Sequence, residues 1–204
     1  MDKPVCVLGI DPGTRNVGYG VVERRGGVLV RLDGGCIVAG DGPMSLRLVS
    51  IYRELREVIA RHSPSAAAVE TVFTGNNPKT AIAIGEGRGV AVLSAAESGL
   101  EVRGYEPALV KRAVAGSGRA DKDQVRNMVK ILLCLPDLPE TDHEADALAL
   151  ALTHLRHAAT DALSAGGATA LRRGKCPRRA LPEHVLRQLP AGLSAGTVRR
   201  SGRR

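Results

Sequence analysis

Hydrophobic residues gather in short runs near the start of the chain, and turn-forming residues separate these runs. Apolar runs cover residues 4–11, 17–24 and 28–38, with a Pro-Gly pair after the first and a Gly-Gly pair after the second. Runs of this length that end at Pro or Gly are typical of strands. The pattern therefore predicts three strands in an antiparallel meander.

After the third strand, the apolar positions take the spacing of helices. Helical stretches cover residues 45–61, 78–98 and 141–158, with shorter helices between the last two. Two short apolar runs, 65–73 and 101–105, predict further strands. A meander followed by alternating helices and strands predicts an α/β fold, with a mixed five-stranded sheet flanked by helices.

Three acidic residues interrupt apolar segments. Asp11 ends the first strand, Glu70 lies in the strand at 65–73, and Asp146 lies in the last helix. Burying such a charge is costly unless a cation or hydrogen bonds compensate it, and neighbouring carboxylates also repel each other. We therefore predict that the three acids share divalent cations, although pairing of each acid with an arginine is an alternative.

The start of the last helix contains further polar residues. Thr141 followed three residues later by Glu144 is a capping-box pattern, which makes Thr141 the predicted N-cap. Asp142 and Glu144 then have a sufficient role as acids that favour the helix dipole. His143 shares a helix face with Asp146 and is a candidate site residue. An ordinary, partly exposed histidine is the alternative.

An oxygen-rich cluster of this kind suits hard cations such as Mg²⁺. Two such ions about 3.5–4 Å apart can activate a water and stabilise the leaving oxygen in phosphodiester hydrolysis. The acids thus indicate a metal-dependent phosphodiesterase.

Four ordered motifs resemble those of the RuvC family, bacterial Holliday-junction resolvases of the ribonuclease H-like superfamily. They are LGIDPGTRNVGYGVV at 8–22, VETVFTGNNPKTAIAIGEGRGV at 69–90, KRAVAGSGRADKDQV at 111–125 and EADALALALTH at 144–154. The resemblance covers residues 5–158. It implies a ribonuclease H-like fold and an endonuclease that resolves four-way junctions by paired, symmetric nicks in DNA recombination and repair. The nearest alternative is another nuclease of this superfamily that acts on DNA or RNA; an actin-like ATPase and a catalytically silent junction-binding protein are more distant.

The resemblance also implies the composition of the active site. The family's metal-binding acids match Asp11, Glu70 and Asp146, and the fourth position, an aspartate in many relatives, is His143 here. Two ions per subunit are expected, Mg²⁺ or Mn²⁺. Because imidazole is a softer ligand than a carboxylate, Mn²⁺ is expected to serve as well as Mg²⁺ or better. Two alternatives are that His143 acts on the attacking water and that Asp142 is the fourth ligand.

DNA contacts are a further implication of the resemblance. The family's two functional lysines match Lys111 and Lys122, and the surrounding predicted set adds Arg112, Arg119, Arg126 and Lys130. Lys122 and Arg126 lie one helical turn apart and are expected to present a basic face to phosphates. A solvated face balanced by Asp121 and Asp123 is the alternative.

Phe73 is the single phenylalanine of the chain and follows the strand that contains Glu70. Its family counterpart stacks on an unpaired base near the crossover, an interaction typically worth ~1–3 kcal/mol. Core packing is the usual role of a lone phenylalanine. The polar loop that follows favours exposure and therefore base stacking.

A homodimer is predicted because a four-way junction has two-fold symmetry and two opposed strands must be cut. The helix at 78–98 has Ala81, Gly85 and Gly89 at four-residue spacing, which forms a smooth ridge for a partner helix. Packing of this ridge against the chain's own sheet is the alternative. The resemblance adds the RuvA–RuvB branch-migration complex as a partner.

The excess positive charge is concentrated at the end of the chain. Residues 160–204 hold ten of the 29 Lys and Arg but two of the 21 Asp and Glu, which accounts for the whole net charge of +8. A basic segment rich in Gly, Ala and Pro is typical of disorder and suits a polyanion. We predict a nuclease domain over 1–158 and a disordered basic tail over 159–204; a solubilising tail without a specific partner is the alternative.

Cysteine spacing and hydropathy bear on the compartment. The four cysteines are scattered without CxxC spacing, which favours reduced thiols over disulfides or a zinc site. Apolar stretches fall short of the ~20 residues of a membrane span, and MDKPVCVLG lacks a signal-peptide pattern. We expect a cytoplasmic, nucleoid-associated protein with no membrane partner.

Overall fold

The computed structural model describes residues 4–71 and 78–165, all within one compact unit. Its strands are β1 (Val5–Asp11), β2 (Asn16–Arg25), β3 (Val28–Val38), β4 (Ala66–Glu70) and β5 (Glu101–Tyr105). Its helices are α1 (Met44–His62), α2 (Pro78–Glu97), α3 (Pro107–Ala115), α4 (Lys122–Leu132) and α5 (Asp142–Ala165). Within these ranges, none of the helices combines the length and apolar character that crossing a membrane requires.

The five strands form one mixed sheet in the order β3-β2-β1-β4-β5. β1, β2 and β3 pair antiparallel, whereas β4 is parallel to both β1 and β5. The predicted meander and the predicted five-stranded mixed sheet are confirmed. β4 ends at Glu70, earlier than the predicted 73, and Phe73 lies outside the described residues.

The sheet has a hydrophobic core on each face. Val7 packs with α3, α4 and α5, whereas its neighbour Leu8 packs with α1 and α2. Since successive side chains of a strand point to opposite faces, one apolar run supplies both cores. The acids that end such strands therefore emerge beside a helix layer.

A β-bulge in β3 changes which face its side chains reach. Val21 of β2 pairs with Asp33, but the next residue, Val22, pairs with Arg31, so Leu32 has no partner on β2. Val21 belongs to the core under α1 and Val22 to the core under α5. The bulge thus places Asp33 and Arg31 on opposite faces.

Glycines let α5 lie directly on the sheet. In the β1–β2 ladder, Gly9 pairs with Gly20 and Asp11 pairs with Gly18. A Cβ on Gly9 would lie 1.9 Å from the Ala147 carbonyl oxygen, and one on Gly18 would lie 1.9 Å from that of His143. These strands therefore need glycine where the helix crosses them.

α5 starts as predicted but ends later. The Thr141 hydroxyl accepts a hydrogen bond from the Glu144 amide over 3.0 Å, which confirms the predicted cap, whereas the Glu144 carboxylate accepts from the Glu140 amide over 2.9 Å and not from Thr141. The predicted end at 158 is wrong, because no Gly or Pro breaks the sequence before Gly166. Residues 159–165 of the predicted disordered tail therefore belong to α5, whereas 166–204, with Cys176, lie outside the described residues.

Candidate active site

The sheet brings the two strand-end acids together. β1 and β4 are parallel neighbours, and Ile10 pairs with Val69, so Asp11 and Glu70 follow at the same edge of the sheet. By strand alternation Asp11 shares a face with Gly9, which lies under α5. The two carboxylates therefore emerge side by side beneath this helix.

α5 supplies the other predicted site residues. His143 Nδ1 donates to the Asp11 carboxylate, Oδ2, over 2.8 Å, which joins the first turn of α5 to the end of β1. Asp146 lies three residues farther along α5 and, together with Glu70, lines a cavity of about 190 Å³. The Asp11 side chain is 15% exposed and that of His143 is 42% exposed.

The half-buried carboxylates of Glu70 and Asp146 resist ionisation. Burial, followed by the charges of Asp11 and Asp146, raises the pKa of Glu70 to about 7. Burial and the charge of Asp11 likewise raise the pKa of Asp146 to about 6. The local dielectric and like-charge repulsion thus create an electrostatic cost that a bound cation would offset.

The donor set fits a hard divalent metal. The three carboxylates are the ligand type of Mg²⁺ and Mn²⁺ sites, and the imidazole adds one softer donor. In the part of the chain that the structure describes, no three such side chains are arranged closely enough to hold an ion as they stand. Asp11 is hydrogen-bonded to His143 in this arrangement.

Two lysines flank the acids. Lys111 of α3 and Lys122 of α4 line the same cavity as Glu70 and Asp146. Their positive charges lower the pKa of Glu70, against the larger effect of burial. The predicted pair of functional lysines therefore lies at the acidic site.

Arg126 makes contacts within the protein. Its guanidinium donates to the Pro139 carbonyl oxygen over 2.7 Å and lies 3.3 Å from the Asp142 carboxylate, which Lys122 also approaches at 3.4 Å. The predicted basic face of Lys122 and Arg126 is thus partly neutralised by Asp142. These contacts direct Asp142 toward α4, and it is His143 that bonds to Asp11.

The remaining predicted DNA-binding arginines lie near the α3–α4 connection. Arg112 and Arg119 are exposed, and Gly116 ends α3 with a φ of 78°. A positive φ of this size favours glycine, which explains why α3 ends there. Because their side chains are exposed, Arg112 and Arg119 are accessible to a ligand.

Two structural residues near the site were missed by the sequence analysis. Arg88 of α2 donates from Nε to the Glu70 carbonyl oxygen over 3.0 Å, and Arg31 of β3 forms a 2.6 Å ion pair with the buried Glu144. Neither arginine belongs to a recognisable spacing pattern. The one sequence signal for Arg31 was Glu144, because an acid that is buried in a helix requires a charged or hydrogen-bonding partner.

Comparison with known proteins identifies the family. The family model described as crossover junction endodeoxyribonuclease RuvC matches residues 7–154. This chain belongs to the RuvC family. The RuvC proteins of Pelotomaculum thermopropionicum and Chloroflexus aggregans are each 49% identical to it over 154 residues, which cover 75% of this chain and 94% of each relative.

Solved structures agree with this RuvC assignment. Thermus thermophilus RuvC in complex with Holliday junction substrate is 37% identical, with a TM-score of 0.73, and covers 77% of this chain and 96% of its own. The yeast mitochondrial Holliday junction resolvase Ydc2, at 13% identity and a TM-score of 0.53, shares the fold. The predicted RuvC family, ribonuclease H-like fold and class of enzyme, a Holliday-junction-resolving endonuclease, are confirmed. RuvC nucleases depend on divalent metals in general.

Proposed function

We propose that this RuvC-family protein binds four-way DNA junctions and resolves them by paired, symmetric nicks at a site formed by Asp11, Glu70, His143 and Asp146. The observation that carries the proposal is the convergence of half-buried, mutually repelling carboxylates from β1, β4 and α5. The repulsion within such a cluster destabilises the fold. Bound cations would offset that repulsion and would also promote hydrolysis.

Asp11, Glu70, His143 and Asp146 would hold two ions, Mg²⁺ or Mn²⁺, per subunit. Bound ions of this kind supply an activated water and stabilise the leaving oxygen in phosphodiester hydrolysis. The protein's own residues set the geometry. His143 restrains the Asp11 carboxylate, and Lys111 and Lys122 favour the ionised form of Glu70.

Lys111 and Lys122 would also attract the DNA phosphate to this cavity, because their ammonium groups flank its acids. The exposed Arg112 and Arg119 would extend the contact along the backbone. For Arg126, whose side chain is 25% exposed, the bonds to Pro139 and Asp142 support a structural role. Base stacking by Phe73 remains a prediction from the sequence.

A homodimer through α2 would place two such sites on one junction. Gly85 and Gly89 are exposed, and a Cβ on either would meet nothing within 4 Å, whereas Gly87 faces inward against Gly13. Ile82 and Leu93, both on α2, are 65% and 57% exposed. These features favour docking of a partner helix over packing of the glycine ridge on the chain's own sheet.

The family likeness also suggests the wider context. We propose cooperation with the RuvA–RuvB branch-migration complex, and a location in the cytoplasm with nucleoid DNA. The basic segment of residues 160–204 would add affinity for the polyanion, since its charge is mostly of one sign.

The decisive experiment compares Asp11→Asn and Glu70→Gln with the unmodified protein on a synthetic immobile four-way junction, with titrated Mg²⁺ or Mn²⁺. Both variants should bind the junction and lose cleavage, because each keeps the shape of the side chain and removes its charge. Glu54→Gln on α1 is the matched control and should cut normally. Linear duplex should remain intact throughout. Cleavage at the unmodified rate by either variant would contradict the assigned site.

A further inference from the structure

We propose that Arg31 and Glu144 are a positioning pair, which fixes the first turn of α5 so that His143 meets Asp11. The inference rests on the proposed active site and adds to it two residues that touch neither substrate nor metal. It concerns the orientation of His143.

Glu144 is the most buried acid among the described residues, at 2% exposure. Arg31 donates from Nη2 to its Oε1 over 2.6 Å and to the Gly34 carbonyl oxygen over 3.0 Å. The other carboxylate oxygen of Glu144, Oε2, accepts the Glu140 amide over 2.9 Å. One carboxylate thus ties the edge strand β3 to the loop that precedes α5.

The bulge at Leu32 makes this contact possible. Without an unpaired residue, Arg31 and Asp33 would point to the same face, because they are two positions apart. With it, Asp33 lies on the α1 side, where it pairs with Arg61 and His62, and Arg31 reaches α5. Bulges that redirect a side chain are frequent next to active sites.

The pair acts on His143 through the backbone. Glu144 follows His143 directly, and the His143 carbonyl oxygen packs against Gly18 of β2. The His143 side chain is 42% exposed and so receives little support from packing. Its direction toward Asp11 therefore depends on how firmly the turn is held from Thr141 to Glu144.

A purely stabilising ion pair and a positioning pair predict different effects of a substitution at Glu144. A buried ion pair is often no more stabilising than apolar side chains of similar volume. If the pair positions His143, loss of the Glu144 charge should alter the orientation of the His143 ring more than it lowers the free energy of unfolding. Outer partners that orient active-site side chains typically contribute 10- to 100-fold to activity.

The test compares Glu144→Gln with Asp33→Asn, which removes an ion pair that joins β3 to the helix on the opposite face. Glu144→Gln keeps an acceptor for the Glu140 amide and weakens the link to Arg31. For the metal-free proteins, the readout is the ¹⁵N NMR signal of the His143 ring. For the metal-loaded proteins, it is the single-turnover cleavage rate at saturating enzyme, well below both melting temperatures.

Glu144→Gln should shift the His143 signal and lower the single-turnover rate about tenfold or more, with junction affinity within about twofold of the unmodified protein. Asp33→Asn should leave both readouts unchanged. If Glu144→Gln does not fold, Arg31→Lys, which keeps the charge and replaces the rigid planar guanidinium by a flexible ammonium, should show a smaller change of the same kind. An unshifted His143 signal, or a rate no lower than that of Asp33→Asn, would overturn the proposal. Failure of the unmodified protein to cut a junction would count against the proposed function instead, since the NMR readout needs no cleavage.

Discussion

Asp11 pairs with Gly18 across the β1–β2 ladder, and the absent side chain of Gly18 leaves the space that the His143 backbone occupies. The carboxylate and the turn that bonds to it are therefore neighbours because a glycine lies opposite the acid. A two-residue feature of the sheet thus determines whether α5 can contribute to the site.

Gly18→Ala should disrupt this arrangement. The new Cβ would lie 1.9 Å from the His143 carbonyl oxygen, so α5 must move away from the sheet. Overpacking of this kind typically costs about 1–3 kcal/mol in the free energy of unfolding, and displacement of His143 should also lower the cleavage rate. Chemical denaturation and a junction-cleavage assay measure the two effects. Gly42→Ala, where a Cβ would meet nothing within 4 Å, is the control and should change neither.

Metal-free protein should lose stability as the pH rises through the window from about 4 to about 7. Glu70 and Asp146 have ordinary pKa values of 4.5 and 3.8, which the fold raises to about 7 and about 6. In this window the folded protein therefore binds more protons than the unfolded chain, and the free energy of unfolding falls with pH. Melting temperatures in chelator across this range test the expectation.

Glu70→Gln provides the comparison for the pH experiment. It removes one of the two raised pKa values and should flatten the decline in melting temperature. Added Mg²⁺ or Mn²⁺ should raise the melting temperature of the unmodified protein at pH 7.5 more than that of Glu70→Gln. A pH dependence that is identical for the two proteins would refute this explanation.

Lys111→Ala and Lys122→Ala should each reduce cleavage and junction affinity. Each removes a positive charge that favours ionised Glu70 and that faces the cavity. If each lysine neutralises one phosphate, the slope of log affinity against log salt should become about 0.9 less steep. Binding titrations from low to high salt measure the slope, with Arg53→Ala on α1 as a control on the other side of the sheet. Parallel salt dependences for all variants would contradict a phosphate contact.

Leu93→Glu should convert a dimer into monomers. Leu93 is 57% exposed on the same helix as the open Gly85 and Gly89, and a charge there would be buried without a partner in a helix-to-helix contact. Analytical ultracentrifugation distinguishes the two states. Ile131→Glu, at a 65% exposed position on α4, is the matched control and should stay dimeric. A monomeric unmodified protein would reject the α2 interface altogether.

Local sequence signals were enough to predict much of the fold. The meander was predictable because Pro-Gly and Gly-Gly pairs separate its strands, and α5 was recognisable from its cap and its long apolar stretch. The end of α5 was misplaced because helix-compatible residues continue to 165. Leu32 is not itself a Gly or Pro, and the nearby Gly34 and Gly35 pair regularly with β2, so the different faces of Arg31 and Asp33 could not be foreseen.

The acids of the site were also predictable from local sequence signals. A carboxylate within or at the end of an apolar segment conflicts with its surroundings, and Asp11, Glu70 and Asp146 each show that conflict in the sequence alone. The bond between His143 and Asp11 joins residues 132 positions apart, and the contacts of Arg126 with Pro139 and Asp142 join different structural elements. Tertiary contacts of this kind leave no trace in local spacing.

α2 touches the ends of both acid-bearing strands, through Gly87 against Gly13 and through Arg88 on the Glu70 carbonyl. Its other side presents the open glycines. In an assembly that pairs two such helices, the separation of the two cutting centres would be set by the thickness of a helix pair. The distance between the two active sites would then select the substrate. DNA that could not place two scissile bonds at that distance would not be cut in both strands.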